Sequence, residues 1–307
     1  MRRAGTYHVP VMLGEAIEAL DVREGGVYVD CTFGGGGHSR AILERLGREG
    51  RLYAFDQDED AVACVPEDGR LTFIRSNFRF LKRWMDYYGE GAVDGVLADL
   101  GMSSHHLDEE ERGFSFQADA LLDMRMNRRA KLTAAMVVNE YPEGALADVF
   151  YLYGQLRESR RLAHAIVEAR EQKALERVGE LVRVVAPLVD RRREKKDLAR
   201  VFQALRIEVN GEMKALKEML EAVPGLLGDG GRLVVLTYHS LEDRMVKNFI
   251  AAGNEEGRVE KDFYGNVLSP LEQVGKALVP GDEEQERNPR SRSAKLRVAT
   301  KIVRRDE

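Results

Sequence analysis

The stretch that most restricts the fold is Val27-Tyr28-Val29-Asp30-Cys31-Thr32-Phe33 followed at once by Gly34-Gly35-Gly36-Gly37-His38-Ser39. A β-branched and aromatic run that ends in glycines predicts a strand entering a tight turn. Ala41-Ile42-Leu43-Glu44-Arg45-Leu46 has helical spacing and stops at Gly47, the usual residue just past a helix end. Strand, glycine loop and helix in this order aim backbone N–H groups and a helix N-terminus at one bound group, which suits a nucleotide-like ligand. The next strand, Arg51-Leu52-Tyr53-Ala54-Phe55, ends in Asp56, where a carboxylate can accept from ribose hydroxyls.

After Asp56, Asp58-Glu59-Asp60-Ala61-Val62 reads as the start of a second helix, and further strands are expected at Leu71-Thr72-Phe73-Ile74 and from Val93 to Leu100. Asp30, Asp56 and Asp99 each close a strand, so all three should meet at the crevice outside the carboxyl ends of an open α/β sheet. Phe78, just past the third strand, either packs in the core or lies against a base. From Ser103 the period is lost, and the residues up to Asn127 read as a long irregular loop, a kind more often functional than idle. Helical segments follow at Thr133 to Val138, Pro142 to Tyr153, Glu158 to Arg170, Val178 to Val189 and Leu198 to Val209. An all-helical insertion into an α/β domain is the simplest account. Its basic run, Arg191-Arg192-Arg193-Glu194-Lys195-Lys196, is either a solvated helix end or a phosphate contact. The α/β pattern resumes with a helix from Glu212 to Ala222 stopped by Pro224-Gly225, and a strand from Arg232 to Thr237. A helix then starts at Ser240 as N-cap, with Asp243 three residues on. Asn254 to Gln285 is polar and reads as partly mobile, and Leu296 to Ile302 alternates as a final strand with a basic approach.

Composition narrows the chemistry. At 307 residues, with 44% hydrophobic and 32% charged side chains, the chain is expected to form two domains. No apolar run approaches the ~20 residues of a membrane span. Residues 1–10 contain no apolar leader, so a cytoplasmic location and no membrane partner are expected. Two cysteines, Cys31 and Cys64, cannot make a disulfide framework, and the scattered histidines show no metal-ligand spacing, so no metal is expected. A net charge of -5 argues against broad nonspecific nucleic-acid binding, while local basic clusters could still provide it. Gly34 and Gly36 fit the first two glycines of the dinucleotide fingerprint, but Ser39 stands at the third. The loop by itself leaves a dinucleotide and S-adenosylmethionine both open. A nucleoside triphosphate is disfavoured because no Gly-Lys-Ser or Gly-Lys-Thr follows, and a serine hydrolase because no Gly-x-Ser-x-Gly elbow exists.

Several longer blocks carry a specific resemblance. Tyr7-His8-Val9-Pro10-Val11-Met12-Leu13, Asp30 through Ser39, Asp99-Leu100-Gly101-Met102-Ser103-Ser104, Arg112-Gly113-Phe114-Ser115-Phe116 with Leu122-Asp123-Met124-Arg125-Met126, Val201 through Ile207, and Asn288 through Arg297 resemble the bacterial 16S ribosomal RNA (cytosine-N(4))-methyltransferases, the RsmH or MraW family. The likeness runs from end to end. It implies an α/β fold, a class I S-adenosylmethionine-dependent methyltransferase, Rossmann-like, with an inserted all-helical domain. The methyltransferase domain would be discontinuous, 1–103 and 211–307, and 104–210 would be the insertion that recognises substrate. The resemblance also implies S-adenosylmethionine as donor and a cytidine N(4) amine of 16S rRNA as acceptor, within the 30S subunit, with a part in rRNA processing and no DNA partner. Carried over by position, the donor-binding residues are Gly36, Gly37, His38, Asp56, Phe78, Asp99 and His106. Many members have glutamine where this chain has His106; both side chains form hydrogen bonds.

A cytosine amine is a poor nucleophile because its lone pair is conjugated into the ring. Many amino-methyltransferases align it with an Asn-Pro-Pro-Tyr or Asp-Pro-Pro-Tyr turn after the fourth strand, whereas this chain has Asp99-Leu100-Gly101-Met102. No catalytic base is assigned. Arg290, Arg292, Lys295, Arg297 and the basic run of the insertion are the candidate phosphate contacts. An assembly factor that binds donor without catalysis, and an NAD-dependent oxidoreductase, are the competing readings.

Overall fold

The computed structural model describes residues 10–101 and 110–303, so the expectations at His8 and His106 fall outside the described residues. The chain forms two compact units, one of residues 1–101 with 213–307 and one of residues 102–212.

The first unit is built on a sheet of seven strands in the order β3-β2-β1-β4-β5-β7-β6. These are β1 (Val27–Asp30), β2 (Arg51–Asp56), β3 (Leu71–Arg75), β4 (Val93–Asp99), β5 (Leu227–Thr237), β6 (Leu271–Gln273) and β7 (Lys295–Lys301). Strands β1 to β5 pair in parallel, and β7 runs antiparallel to both β5 and β6. This is the class I methyltransferase order. The direction of winding reverses between β1 and β4, and the carboxyl ends of those two strands form the switch point at which open α/β sheets bind ligands. The central strands are apolar on both faces, as a sheet covered on both sides requires: Val29, Val96, Leu97, Val234 and Val235 are all fully buried. One layer of core gathers Phe55, Met85, Leu220 and Val246, and the other gathers Ile17, Leu20, Tyr28, Ile42 and Leu296.

The helices of this unit are α1 (Leu13–Leu20), α2 (Gly37–Arg45), α3 (Leu81–Tyr88), α9 (Glu212–Leu226), α10 (Ser240–Ala252) and α11 (Asp282–Arg287), with Glu212 the boundary residue. The second unit carries α4 (Ala134–Glu140), α5 (Glu143–Leu152), α6 (Ser159–Gln172), α7 (Val178–Val185) and α8 (Glu194–Asn210). They enclose a separate core in which Phe150, Leu162, Ile166, Val201 and Leu205 are buried.

Four local expectations are corrected. Asp60–Cys64 forms a 3-10 turn and not an α-helix, because Asp56 and Asp58 turn the backbone by accepting from Asp58 N and Asp60 N. The helix expected to stop at Ala222 runs through Pro224 to Leu226, since Val223 and Leu226 are both core residues and a proline in the last turn removes only one ladder bond. The N-cap of α10 is His239 and not Ser240: Glu242 N donates to His239 Nδ1 at 3.4 Å, and Glu242 Oε2 accepts from His239 N at 3.3 Å. Within the polar stretch from Asn254 to Gln285, Leu271–Gln273 pairs with β7 and adds the seventh strand. Three residues with one inward leucine are too short to show an alternating pattern.

Candidate active site

The site is assembled at the carboxyl ends of β1, β2 and β4. Strand β1 ends in Asp30, which is fully buried; Ser39 Oγ donates to its Oδ2 at 2.6 Å and Thr32 N to its Oδ1 at 3.0 Å. Ser39, the residue that breaks the dinucleotide fingerprint, therefore ties the strand to the first turn of α2. Of the three acids expected at the crevice, Asp30 is instead a buried brace for the loop, because it is fully buried as well as hydrogen-bonded at both oxygens, whereas Asp56 keeps partial exposure. Burial pushes its carboxyl up, against the opposing pull of His38 and the Ser39 hydrogen bond. Thr32 Oγ1 accepts from Asp99 N at 2.7 Å and so couples β1 to β4.

The glycine loop has two kinds of glycine. Gly34 and Gly36 adopt φ of 51° and 77°, and Gly36 in that left-handed conformation precedes α2. A Cβ on Gly36 would lie 2.7 Å from the Phe33 ring, and one on Gly37 would lie 2.1 Å from Pro10 Cγ. Their missing side chains thus serve internal packing, independently of any ligand. At Gly35 a Cβ would meet nothing within 4 Å, and this is the glycine that faces open space.

Asp56 is fixed from two sides. Its Oδ2 accepts from Gly34 N at 2.8 Å and its Oδ1 from Asp58 N at 2.8 Å, so the carboxylate bridges the glycine loop and the turn after β2. Phe78 opens a 3-10 turn after β3 and is half-buried against the core. Asn77 holds that turn by accepting from Arg79 N at 3.0 Å and donating to Gln57 Oε1 at 3.0 Å, which ties the β3 loop to the residue after Asp56.

Asp99 and His38 face each other across the switch point, with His38 Nδ1 at 3.9 Å from Asp99 Oδ2. Gly101 N donates to Asp99 Oδ1 at 3.0 Å. His38 is 5% exposed, yet its Nε2 has no hydrogen-bond partner among the described residues. A buried ring nitrogen without a partner, beside an open glycine and a helix N-terminus, is a polar position that a ligand would complete. The residues present therefore fit a donor with polar and adenosyl parts.

A model of the MraW methylase family matches residues 5–302. The chain belongs to the MraW methylase family. This MraW methylase is a methyltransferase whose donor is S-adenosylmethionine. Among curated proteins, the ribosomal RNA small subunit methyltransferase H of Parabacteroides distasonis is 64% identical over 298 residues, 96% of this chain and 98% of that one. Its namesake in Porphyromonas gingivalis is 57% identical over 306 residues, 98% of each chain. A solved rRNA methylase from Streptococcus thermophilus aligns with 97% of this chain and 100% of its own at 13% identity and a TM-score of 0.41. At that distance the strand order of this chain, and not the likeness, defines the fold.

Outside the expected set, one further residue of this MraW methylase lies beside a site residue, and several others brace the surrounding elements. Tyr238, directly after β5, packs its ring beside Gly101 and Asp99: a Cβ on Gly101 would lie 2.8 Å from Tyr238 Cε2 and 3.0 Å from Asp99 Oδ1. Tyr238 carries no motif of its own; its one signal in the sequence is that it follows a strand. Met12, in the left-handed conformation with φ of 49°, donates its N–H to Glu284 Oε1 at 2.6 Å, which anchors α11 to the start of α1. Asn288 Nδ2 and Oδ1 are buried and lack partners among the described residues. Two expected phosphate contacts are engaged within the protein: Asp243 accepts from Lys295 Nζ at 2.9 Å and from Arg297 Nε at 2.7 Å.

Proposed function

We propose that this MraW methylase transfers a methyl group from S-adenosylmethionine to the exocyclic N(4) amine of a cytidine in the decoding region of 16S rRNA, within the 30S subunit. The observation that carries the reading is the near full-length identity to relatives named for small-subunit rRNA methylation, joined to an acid and an unpartnered histidine nitrogen at the switch point. The N(4) atom and the cytidine rest on the resemblance of the sequence blocks to the family. The protein would act in the cytosol, where ribosomes are assembled; among the described residues no helix is long and apolar enough to cross a membrane.

In this reading Gly36, Gly37, His38, Asp56, Phe78 and Asp99, with His106, hold the donor. When bound, S-adenosylmethionine supplies an electrophilic methyl group on a sulfonium. Asp56 accepts from ribose hydroxyls in a plane already set by Gly34 N and Asp58 N. Phe78 packs near adenine from a turn braced by Asn77. Asp99, steadied by Gly101 N, accepts from an amino group. In-line transfer demands that the acceptor nitrogen be aligned at about 3 Å from the methyl carbon, so positioning supplies most of the rate enhancement. The cytosine must leave its stack to reach the site, which suits a single-stranded or splayed RNA segment.

The helical segment 104–210 would recognise the RNA. Arg191, Arg192, Arg193, Lys195 and Lys196 are exposed at the start of α8, where cations oppose the helix dipole. Arg193 has a partner in Asp197, at 3.5 Å. Helix stability does not call for so many cations there, and RNA phosphate does. Exposed Arg290 and Arg292 are further candidates. The test is methyl transfer from labelled donor to 30S subunits lacking native modification, read by nucleoside mass spectrometry. N(4)-methylated cytidine, abolished by Asp56→Ala, is expected; a methylated nucleoside of any other kind, or none on 30S, 50S or free rRNA, overturns the reading.

A further inference from the structure

Strands β1 and β4 are joined by backbone hydrogen bonds up to one point. Asp30 is in register with Leu97, and Cys31 N donates to Leu97 O at 2.8 Å. The next donor on that side of β4 is Asp99 N, and its acceptor is the Thr32 hydroxyl at 2.7 Å, where a continuing ladder would offer a carbonyl. On the other side Leu100 N donates to Leu236 O at 3.0 Å, so the end of β4 is also held to β5. A hydroxyl in place of a carbonyl brings something the sheet does not need. It brings a hydrogen of its own to donate.

Because Thr32 Oγ1 accepts from Asp99 N, its hydrogen turns to Asp30 Oδ1 at 3.5 Å. That oxygen also accepts from Thr32 N at 3.0 Å, and the other Asp30 oxygen accepts from Ser39 Oγ at 2.6 Å. Ser39 is fully buried in the first turn of α2, next in the chain to His38. One buried carboxylate therefore has two arms. Through Ser39 it holds the turn that carries His38, and through Thr32 it holds the strand end that carries Asp99. These are the two side chains that face each other across the switch point, with His38 Nδ1 at 3.9 Å from Asp99 Oδ2. Gly101 N fixes the remaining Asp99 oxygen at 3.0 Å, so the acid is set at both its amide and its carboxylate. A buried carboxylate is costly unless its oxygens are paired, so neither arm can be lost without disturbing the other.

We propose that Thr32 and Ser39 are positioning residues for the methyl donor: from the two oxygens of Asp30 they set the gap between His38 and Asp99 in which the donor is held. The proposal rests on the reading of His38 and Asp99 as residues that hold S-adenosylmethionine. Both hydroxyls act through Asp30, and no bond or proton changes hands at either.

Thr32→Val keeps the branched shape and removes the hydroxyl, which leaves Asp99 N without its acceptor. The expected result is a rise of about tenfold in the Kd for S-adenosylmethionine by titration calorimetry, the scale of one hydrogen bond, matched by the donor KM, with KM for 30S within about twofold of wild type. Thr32→Ser returns the hydroxyl and is expected to bring the donor Kd back to within about threefold of wild type. Ser39→Ala should weaken donor binding to a similar degree. The double variant Thr32→Val with Ser39→Ala should be little weaker than either alone, because the loss of one arm already releases the gap. An unchanged donor Kd in Thr32→Val, a loss that Thr32→Ser does not recover, or effects of the two arms that add in full would each overturn the proposal. So would a lower binding stoichiometry at unchanged Kd, the mark of a merely structural role. Should Thr32→Val fail to fold, the donor Kd of Ser39→Ala decides by the same criterion. A wild-type protein that binds no S-adenosylmethionine refutes the underlying reading of the site and is recognised before any variant is compared.

Discussion

At Gly37 one methyl group is too many. A Cβ there would sit 2.1 Å from Pro10 Cγ, and a proline ring cannot rotate aside, so the chain before α1 or the first turn of α2 must move. Gly37→Ala is expected to cost roughly 1–3 kcal/mol of stability and to weaken donor binding at least severalfold. Thermal unfolding and titration calorimetry measure the two effects, and an alanine variant with wild-type affinity would show that the loop tolerates the shift. Asn288 presents the opposite case. Its amide nitrogen and oxygen are both buried without partners among the described residues, and such groups typically cost about 1–3 kcal/mol when left unpaired. Asn288→Leu, close in volume, is therefore expected to leave stability unchanged or raise it in urea unfolding; a clear fall would mean that the amide is satisfied by ordered water.

The pairing of α10 with β7 is an electrostatic fastening between two elements. Asp243 lies on the first turn of α10, and Lys295 and Arg297 project from β7 to meet it. Burial raises the Asp243 carboxyl, but the hydrogen bonds from Arg297 and Lys295 outweigh it and leave the pKa below the usual aspartate value. A carboxyl whose folded pKa is depressed contributes stability above its unfolded pKa and loses it as pH falls through the folded one. Asp243→Asn is thus expected to be destabilised by roughly 1–3 kcal/mol near pH 7, with the gap to wild type closing as pH falls below about 4. Urea midpoints at the two pH values test this, and a gap that persists in acid would assign the effect to packing. The same fastening explains why two of the cations read from the sequence as phosphate ligands are engaged within the protein.

Across the whole molecule, the donor site and the basic run belong to different units with separate hydrophobic cores. Changes in one should leave the other's binding intact. Replacing Arg191, Arg192 and Arg193 by glutamate is expected to weaken binding to 30S subunits and to make it less dependent on salt, since the slope falls by about one unit for each phosphate no longer neutralised. Donor affinity should stay at the wild-type value. Filter binding over a range of salt, together with calorimetry, checks both; an unchanged salt slope would mean that the run is solvated surface.

Fold class and the elements that carry the donor loop follow from the chain's local chemistry. Each is written in short-range signals: a β-branched run, glycines at a strand end, and acids closing β2 and β4. A buried parallel sheet has few other ways to use such a pattern. Helix ends are harder to read where packing overrides local preference, as at Pro224, whose helix continues because Val223 and Leu226 are needed in the core. Strand β6 leaves no trace in the sequence because three residues show no period. The contacts of Tyr238, Glu284 and Asp243 exist only once the chain has folded. A residue that follows a strand carries no mark of its neighbour, and the register of β4 against β5 is what brings the Tyr238 ring to Gly101, beside Asp99, across a long separation in the chain.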